Sequence, residues 1–427
     1  MKKKVLLVGG GGREHALAWK LAQSPLLEKL YIAPGNVGMK NLGELVPIKA
    51  NDIKGLLVFA LEKKIDLTFV GPDEPLALGI VDEFQKAGLR IFGPSRAAAE
   101  IEASKAFSKE LMAKYNIPTA QFKVFTELEP AKAYVREMGA PIVVKASGLA
   151  LGKGVFVCNT TNEAEAALEE MFVNKIFGAA GTEVVIEEFL DGPEISIHVL
   201  SDGISHYLLP IAQDHKTVFE GGKGPNTGGM GTIAPVQWVT KEQLTDIEER
   251  IVKPTLAALK KEGREFCGLL FPGIMMTAKG PKVLEFNARF GDPETESYMR
   301  LLKTDLVEIA EACIDKRLGS LNIEWESGAA CCIILASAGY PSAFNKGKEI
   351  TGIENAEKIP GVVVFQAGTE MKDGKLVTNG GRVLAVTAHE GSLELARLTA
   401  YQAVDKINFL GKTFRTDIGK GSLKLVS

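Results

Sequence analysis

The sequence has few of the residues that reveal a cross-linked scaffold, a metal cluster or a polyanionic partner. Its 427 residues include five cysteines and five histidines. The cysteine number is odd and no C-x-x-C pair occurs, which argues against a disulfide framework and against a structural zinc site. The formal charge of -3 gives no general attraction to nucleic acid or to an anionic membrane. Any anionic ligand must therefore be bound by local groups, and we expect a reducing compartment.

Long hydrophobic runs are also missing. The first residues begin like a signal peptide, but the apolar run ends at Val8, before four glycines. No other run approaches the roughly 18 apolar residues that would suggest a membrane helix. We therefore expect a soluble, cytoplasmic protein whose partners are small molecules, with no nucleic acid and no membrane among them, and which is a monomer or at most a weak dimer.

Glycine, by contrast, is abundant, with 45 residues. The glycines cluster in loops, where the backbone must approach another group closely. Hydrophobic residues make up 46% and charged residues 24% of the chain, a balance typical of a globular protein. Its length predicts two to four domains.

The alternation of apolar runs and helical patterns divides the chain. Residues 1–103 alternate strand and helix, which predicts a wound parallel α/β domain with its ligand crevice at the carboxyl ends of the strands. Residues 104–123 and 190–327 have a mixed α+β pattern and would form a core domain. Residues 124–189 read strand, helix, strand, strand, helix, strand, and we expect a small mobile lid there. Residues 328–427 predict a last α+β domain.

The loop "VGGGGREHA" at residues 8–16 follows the first strand and opens a helix, so its amides are placed to face an anion. It departs from the dinucleotide fingerprint because Glu14 stands where the last glycine belongs. A nicotinamide cofactor is therefore disfavoured. A tight turn without a ligand is the alternative. Glu74, in a second loop after a strand, is placed to reach the same crevice.

A second glycine-rich stretch, "ASGLALGKGV" at residues 146–155, resembles a P-loop but joins two strands. It is either a flap that closes over phosphates or an ordinary long hairpin. Lys145 ends the preceding strand, pointing inward at a phosphate or outward into water. Thr160 and Glu163 predict a capping box for the next helix.

Two further segments carry polar groups with open alternatives. Glu194 lies on the polar face of an alternating strand, which is either solvated or binds ribose, with the backbone of residues 188–190 recognising adenine. The loop "GPNTGGMG" at residues 224–231 is either an amide nest for anions or a surface loop. Asp214 and His215 precede it, and such a pair is more often a structural hydrogen bond.

The stretch "VLEFNARFGDPE", residues 283–294, places Glu285, Asn287 and Arg289 on one face of a predicted strand. A carboxylate and a carboxamide suit Mg²⁺ that is already held by phosphates, and arginine suits a transferring phosphoryl group. The alternative is a solvated edge in which Glu285 pairs with Arg289. Asp292 as N-cap and Pro293 as first residue predict the start of a helix.

Together these stretches resemble the ATP-grasp superfamily and, within it, the phosphoribosylamine-glycine ligase (glycinamide ribonucleotide synthetase) family. The resemblance covers essentially the whole chain and includes "GPDEPLALGIVDEF", "SKAFSKELMAKYNIPTA", "VVKASGLALGKGV" and "GGRVLAVTA" in the family's order. "GPNTGGMG" together with "RFGDPE" is its most specific part. Two departures are visible: the strand "GLLFPGIMMT" lacks the acidic metal ligand of many ATP-grasp enzymes, and Ala288 stands where the family often has cysteine.

The resemblance implies a role for each candidate residue. The residues implied to bind ATP are Lys105, Lys145, Gly152, Lys153, Glu187, Glu188, Phe189, Leu190 and Glu194. Those implied to bind phosphoribosylamine or glycine are Gly11, Gly12, Glu14, Glu74, Asp214, Gly228, Gly229, Arg289 and Arg382. Glu285 and Asn287 would bind Mg²⁺ or Mn²⁺, and the catalytic groups would be Arg289, Asp214 and Lys153.

The implied reaction is the ATP-dependent ligation of glycine to phosphoribosylamine, through a glycyl phosphate, in purine biosynthesis. The implied fold is a wound α/β domain, an ATP-grasp core with a lid, and a carboxy-terminal α+β domain. One alternative is another ATP-grasp ligase or carboxylase acting on a purine intermediate. A nucleotide-binding protein without catalysis is the other, although such a protein has no need of Glu285, Asn287 and Arg289 together.

Overall fold

The amino-terminal part of the chain forms a five-stranded, fully parallel sheet in the computed structural model, which describes residues 2–150 and 154–422. Val5 to Val8 are completely buried because helices cover both faces of such a sheet. This confirms the predicted wound α/β domain. The strands, in the spatial order β3-β2-β1-β4-β5, are β1 Lys3–Gly9, β2 Leu27–Pro34, β3 Glu44–Leu45, β4 Leu67–Val70 and β5 Ile91–Phe92. The helices, including the one that leads into the next domain, are α1 Gly12–Leu21, α2 Ile53–Lys63, α3 Asp73–Ala77, α4 Ile80–Lys86, α5 Arg96–Ala103 and α6 Lys105–Lys114.

The lid has the predicted order of elements. Its four strands form an antiparallel sheet in the order β6-β9-β7-β8, and two helices pack on it around their own apolar core. Its elements are β6 Phe122–Phe125, α7 Leu128–Met138, β7 Ile142–Ala146, β8 Val155–Cys158, α8 Thr161–Phe172 and β9 Val184–Glu188. Thr160 caps α8 by accepting from the Glu163 amide, but Glu163 accepts from Asn159 instead of Thr160. The capping box is therefore shifted by one residue.

The core domain is built on a sheet in the order β10-β17-β11-β12, with β18 paired to β17. Its strands are β10 Glu194–Ser196, β11 Val199–Asp202, β12 His206–Leu208, β13 Gln213–Asp214, β14 Thr217–Phe219, β15 Lys223–Asn226, β16 Gly231–Ala234, β17 Cys267–Thr277 and β18 Gly280–Asn287. Its helices are α9 Lys241–Ile247, α10 Lys253–Lys261, α11 Glu294–Leu301 and α12 Leu306–Ile314. A π-helical segment, Glu248–Val252, joins α9 to α10.

The carboxy-terminal sheet incorporates two strands from the core domain. Its order is β13-β16-β19-β23-β20, with β24 on β19, so residues on both sides of the 224–231 loop belong to it. The remaining strands are β19 Ala329–Ser337, β20 Val362–Gln366, β21 Thr369–Lys372, β22 Lys375–Thr378, β23 Arg382–Glu390 and β24 Lys412–Thr413. The remaining helices are α13 Ile353–Glu357 and α14 Leu393–Val404, and short 3-10 turns lie at Val37–Met39, Gly178–Gly181, Glu220–Gly222 and Leu318–Ser320. Among the described residues, no helix combines the length and hydrophobicity that crossing a membrane requires.

The predicted start of α11 is wrong in detail. Pro293 occupies the N-cap position and the helix begins at Glu294. Asp292 is not the cap, because its side chain forms an ion pair with Arg382 at 2.9 Å. A carboxylate that is committed to a guanidinium in the carboxy-terminal domain is unavailable to the helix amides.

Candidate active site

A cavity of about 290 Å³ opens where the lid, the core sheet and the end of α5 meet. It contains most of the polar residues predicted from the sequence. The predicted residues that line it are Lys105, Lys145, Glu187, Glu188, Phe189, Leu190, Glu194, Asp214, Gly228, Glu285, Asn287 and Arg289. Gly152 and Lys153, predicted to close over phosphates, lie outside the described residues.

Glu285 and Asn287 project from β18 into this cavity, and Arg289 follows just after the strand ends. Arg289 donates to Asn287 Oδ1 at 2.8 Å and forms an ion pair with Glu102 at 3.0 Å. The Glu102 carboxylate also accepts from the Ala288 amide at 2.6 Å. The alternative of a solvated strand edge predicted that Arg289 would pair with Glu285. Arg289 instead pairs with Glu102, a buried glutamate from α5.

Positive charge surrounds the Glu285 carboxylate. Burial by itself would raise the pKa of Glu285, but the ammonium groups of Lys216, Lys105 and Lys145 outweigh it and lower the pKa to about 2. Glu285 is thus ionised throughout the physiological range. An ionised carboxylate beside the carboxamide oxygen of Asn287 is a hard oxygen donor set of the kind that Mg²⁺ takes from proteins. The residues present therefore fit the metal implied by the resemblance.

Lys145 is directed inward, which answers the question that the sequence left open. Its ammonium contacts Glu187 Oε2 at 3.0 Å and the Leu284 carbonyl at 3.1 Å. Lys109 contacts the same carboxylate oxygen at 2.9 Å and Thr119 at 2.7 Å. Burial lowers the pKa of Lys109, and this effect outweighs the opposite effect of the Glu187 carboxylate, so that the pKa is about 8. Two lysines therefore share one glutamate in the cavity lining.

Sequence reasoning missed Lys109, although a signal was present. Lys105 and Lys109 are four residues apart on α6 and so lie on one helix face. Glu187 was assigned to adenine, yet its Oε2 is already engaged by both lysines. Its Oε1 atom is buried with no hydrogen-bond partner among the residues that the structure describes. That oxygen is the part of Glu187 free to accept from a ligand.

Asp214 and Glu294 form a second acidic group in the cavity. Glu294 accepts from Ser196 at 2.7 Å, whereas Asp214 Oδ1 is buried and unpaired within the described part of the chain. Burial and the neighbouring Glu294 raise the pKa of Asp214 well above its usual range. A cationic group is the ligand that this acidic pair would favour.

The 224–231 loop approaches Asp214 closely. Gly229 has φ +110°, and a Cβ there would lie 2.6 Å from Asp214 Oδ1 and 2.4 Å from Pro293 Cδ. The Gly228 and Gly229 amides donate to the Tyr340 and Thr227 hydroxyls, so two of the predicted nest amides already have protein partners. Asp214 and His215 do not pair with each other. The His215 ring instead contacts the Gly231 carbonyl and accepts from the Gly419 amide.

The remaining candidates lie away from the main cavity lining. Glu14 is buried and accepts from the Gly11 amide at 2.6 Å and from Arg13 at 2.5 Å. It therefore organises the glycine loop of Gly11 and Gly12 from inside. Glu74 is exposed and accepts from Asn51, while its neighbour Asp73 lines the cavity. Arg382 donates to the Gly228 carbonyl and pairs with Asp292, which joins the 224–231 loop to the start of α11.

Comparison with known proteins agrees with this architecture. Residues 3–102, 103–295 and 330–421 match, respectively, the N, ATP-grasp (A) and C domains of phosphoribosylglycinamide synthetase. A protein of Caldanaerobacter subterraneus subsp. tengcongensis named phosphoribosylamine--glycine ligase is 50% identical over 418 residues, which is 98% of this chain and 100% of that protein. A protein of the same name from Brucella melitensis is 49% identical over 416 residues, 97% of each chain.

Solved structures give the same answer. The crystal structure of phosphoribosylamine--glycine ligase from Thermotoga maritima is 34% identical, with a TM-score of 0.81 over 97% of this chain and 100% of that one. The biotin carboxylase domain of 2-oxoglutarate carboxylase from Hydrogenobacter thermophilus, solved with MgADP and bicarbonate, has a TM-score of 0.75 over 100% and 99% of the two chains. Since it is only 18% identical, it shows the fold alone. The predicted relationship is confirmed, and the chain belongs to the phosphoribosylglycinamide synthetase family.

Proposed function

We propose that this protein joins glycine to phosphoribosylamine, consuming ATP with Mg²⁺ or Mn²⁺ and releasing glycinamide ribonucleotide, ADP and phosphate in purine biosynthesis. The family relationship along the whole chain supports the reaction. The observation that carries the chemistry is that Glu285, Asn287, Arg289 and Asp214 line one cavity with four lysines, Lys105, Lys109, Lys145 and Lys216. A binding protein would need no such combination. Its substrates are small molecules.

In the first step, a carboxylate oxygen of glycine attacks the γ-phosphorus of ATP, and the bond from that phosphorus to the bridging oxygen of ADP breaks. Lys105 and Lys145 are suited to hold the phosphates, while Arg289 offers its guanidinium to the carboxylate and the transferring group. Asp214 would accept from the ammonium group of glycine, which also favours its ionised form. Glu285 and Asn287 would hold Mg²⁺, which would supply charge neutralisation at the phosphate oxygens.

In the second step, the amine of phosphoribosylamine attacks the carbonyl carbon of glycyl phosphate. Phosphate leaves with its electron pair, and the nitrogen loses a proton as the amide forms. This amine is already nucleophilic, so the protein mainly has to position the reactants and exclude water. The absence of a free histidine from the cavity lining within the described residues is compatible with such chemistry.

The glycine loop of Gly11 and Gly12, at the amino end of α1, supports a phosphate site for phosphoribosylamine. We infer that Glu14 acts there by holding the loop rather than by touching the substrate, since its carboxylate is committed to Gly11 and Arg13. Arg382 would act similarly on the 224–231 loop. We further propose that the lid, including Gly152 and Lys153, closes over the nucleotide phosphates, with the adenine held by residues 187–190 and the ribose by Glu194.

The test is to measure ADP release with glycine, with phosphoribosylamine, with both, and with neither. We expect sustained release only with both, with glycinamide ribonucleotide formed in equal amount. Release that depends on bicarbonate or D-alanine in place of glycine would assign the protein to another ATP-grasp reaction. ATP binding without turnover in any mixture would favour a binding protein instead.

A further inference from the structure

Lys216 lies between two carboxylates that the proposed function gives to different ligands. Its ammonium contacts Glu194 Oε1 at 2.5 Å and lies 3.7 Å from Glu285 Oε1. All three side chains are partly buried, so the two ion pairs are screened less than surface pairs are. One internal cation therefore neutralises both the candidate ribose ligand and the candidate metal ligand.

Gly273 lies beside both carboxylates. It pairs directly with Glu285 across β17 and β18, while Glu194 on β10 pairs two residues further along β17, with Met275. A Cβ at Gly273 would come 3.6 Å from Glu194 Oε1 and 3.9 Å from Glu285 Cγ. Both contacts are of ordinary van der Waals length, so Gly273 marks where the two carboxylates meet β17 and is not a steric requirement. The ammonium of Lys216 reaches the two carboxylates that flank this glycine.

The backbone of Lys216 is attached to the 224–231 loop. Its carbonyl accepts from the Thr227 amide at 2.8 Å and from the Thr227 hydroxyl at 2.7 Å. Thr227 Oγ1 in turn accepts from the Gly229 amide at 2.9 Å. Because these bonds fix its main chain, Lys216 can leave the carboxylates only by turning its own flexible side chain.

We propose that Lys216 is a positioning residue that acts as an internal counter-cation, suppressing the binding of a divalent metal at Glu285 until nucleotide phosphates arrive. A metal that binds at Glu285 must compete with an ammonium already paired there. A nucleotide that brings its own phosphates offers Lys216 a new anionic partner, so the metal and the nucleotide enter together. The proposal rests on the proposed function only for the identity of Glu285 as a metal ligand.

The experiment is to measure Mn²⁺ binding to the full-length protein by electron paramagnetic resonance, without nucleotide, glycine or phosphoribosylamine. We expect weak binding to the wild type, and affinity in Lys216→Gln that is higher by about fivefold or more, the usual range of coupling between two sites. Lys216→Arg keeps the charge and should behave as the wild type. Lys282→Gln is the matched control, because Lys282 pairs with Glu188 at 2.7 Å on the cavity rim.

Equal Mn²⁺ affinity in Lys216→Gln and the wild type would overturn the proposal, as would an equal gain in Lys282→Gln. The gain in Mn²⁺ affinity must also disappear in the double variant that combines Lys216→Gln with Glu285→Gln. A gain that persists in the double variant would come from Mn²⁺ bound at another site and would overturn the proposal. Thermal unfolding of each variant checks its fold, and Lys216→Met provides a second neutral replacement. This measurement needs no turnover, so its failure is distinguishable from failure of the glycine-dependent assay.

Discussion

At the scale of single residues, the position of Arg289 is set by protein groups before any substrate is considered. Asn287 and Glu102 both accept from its Nη2, the Phe290 carbonyl accepts from Nη1 at 3.2 Å, and its Nε is buried with no acceptor within the described ranges. A guanidinium fixed in this way can stabilise developing charge without reorganisation during the reaction. This geometry supports a catalytic rather than a purely structural arginine.

We predict that Arg289→Ala lowers turnover by about a hundredfold or more, the usual scale for removing one such electrostatic group, with ATP affinity changed only a few fold. Steady-state ADP release and equilibrium ATP binding measure the two quantities. Arg136→Ala is the control, since Arg136 pairs with Glu165 at 2.7 Å on the lid surface. Near-normal turnover of Arg289→Ala would make Arg289 a structural partner of Glu102.

At the scale of elements, the 224–231 loop depends on one glycine. Gly229 needs both a positive φ and the space that a Cβ would fill beside Asp214 and Pro293. Gly263 after α10 also has a positive φ, of +72°, but nothing lies within 4 Å of a Cβ placed there. Alanine at Gly263 would therefore suffer backbone strain alone, whereas alanine at Gly229 would suffer both backbone strain and steric collision.

Gly229→Ala should abolish most turnover, because the loop must move away from Asp214 to accept the methyl group. Gly263→Ala should cost only strain, about 1 kcal/mol of folding free energy, and keep its activity. Thermal unfolding and ADP release measured on both variants make the comparison. Equal activity in the two variants would show that the loop tolerates displacement from Asp214.

The hairpin of β14 and β15 is bound by residues about 200 positions later in the chain. Arg415 donates to the Thr217 hydroxyl at 2.8 Å and pairs with Asp417, which accepts from the Gly221 amide at 2.8 Å. The hairpin tip, residues 219–226, is exposed and contains Lys223. Because the tip packs against little else, its conformation depends mainly on the contacts with Arg415 and Asp417.

We predict that Arg415→Met accelerates tryptic cleavage after Lys223 several fold and raises the KM for glycine more than it lowers kcat. The physical reason is that the hairpin leads into the 224–231 loop beside Asp214. Arg317→Met, which removes a surface arginine 3.8 Å from Asp315, is the control. Unchanged cleavage in Arg415→Met would show that the hairpin holds its own shape.

At the scale of the whole molecule, the amino- and carboxy-terminal domains meet through a buried histidine. His15 on α1 accepts from the Gln366 amide of β20 at 2.8 Å, and its ring packs edge-on against Phe365. Burial lowers the pKa of His15 to about 4. A protonated ring would lose this acceptor and leave a charge between the domains.

The sign of the resulting pH dependence follows from proton binding. Between pH 6.5 and pH 4 the unfolded chain binds more protons at His15 than the folded chain, so the His15 contribution to stability falls as pH falls through this window. From pH 7 to pH 5 the loss is about 2 kcal/mol. The side-chain oxygen of asparagine in His15→Asn can accept from Gln366. The free energy of unfolding of this variant, measured by urea titration, should therefore fall by about 2 kcal/mol less than that of the wild type between pH 7 and pH 5. An equal loss of unfolding free energy in His15→Asn and the wild type between pH 7 and pH 5 would contradict the prediction.

Much of the architecture could be read from local patterns. Apolar runs alternating with helical periods predicted the parallel sheet, and the lid elements appear in the predicted order, because both depend on neighbouring residues. The cap of α11 was wrong since Asp292 prefers Arg382, a partner 90 residues away in the carboxy-terminal domain. No local pattern reports such a contact.

The sequence by itself determined part of the cavity lining: Lys105 and Lys145, a carboxylate and carboxamide two residues apart, an arginine and two glycine-rich loops. It did not indicate Lys109 or Lys216, which also line the cavity. Only the tertiary structure decided their partners. Glu102 pairs with Arg289, Lys109 and Lys145 share Glu187, and Lys216 lies between Glu194 and Glu285. The reason is physical: side-chain spacing along one strand or helix is set by backbone geometry, whereas an ion pair between distant segments exists only once packing brings them together.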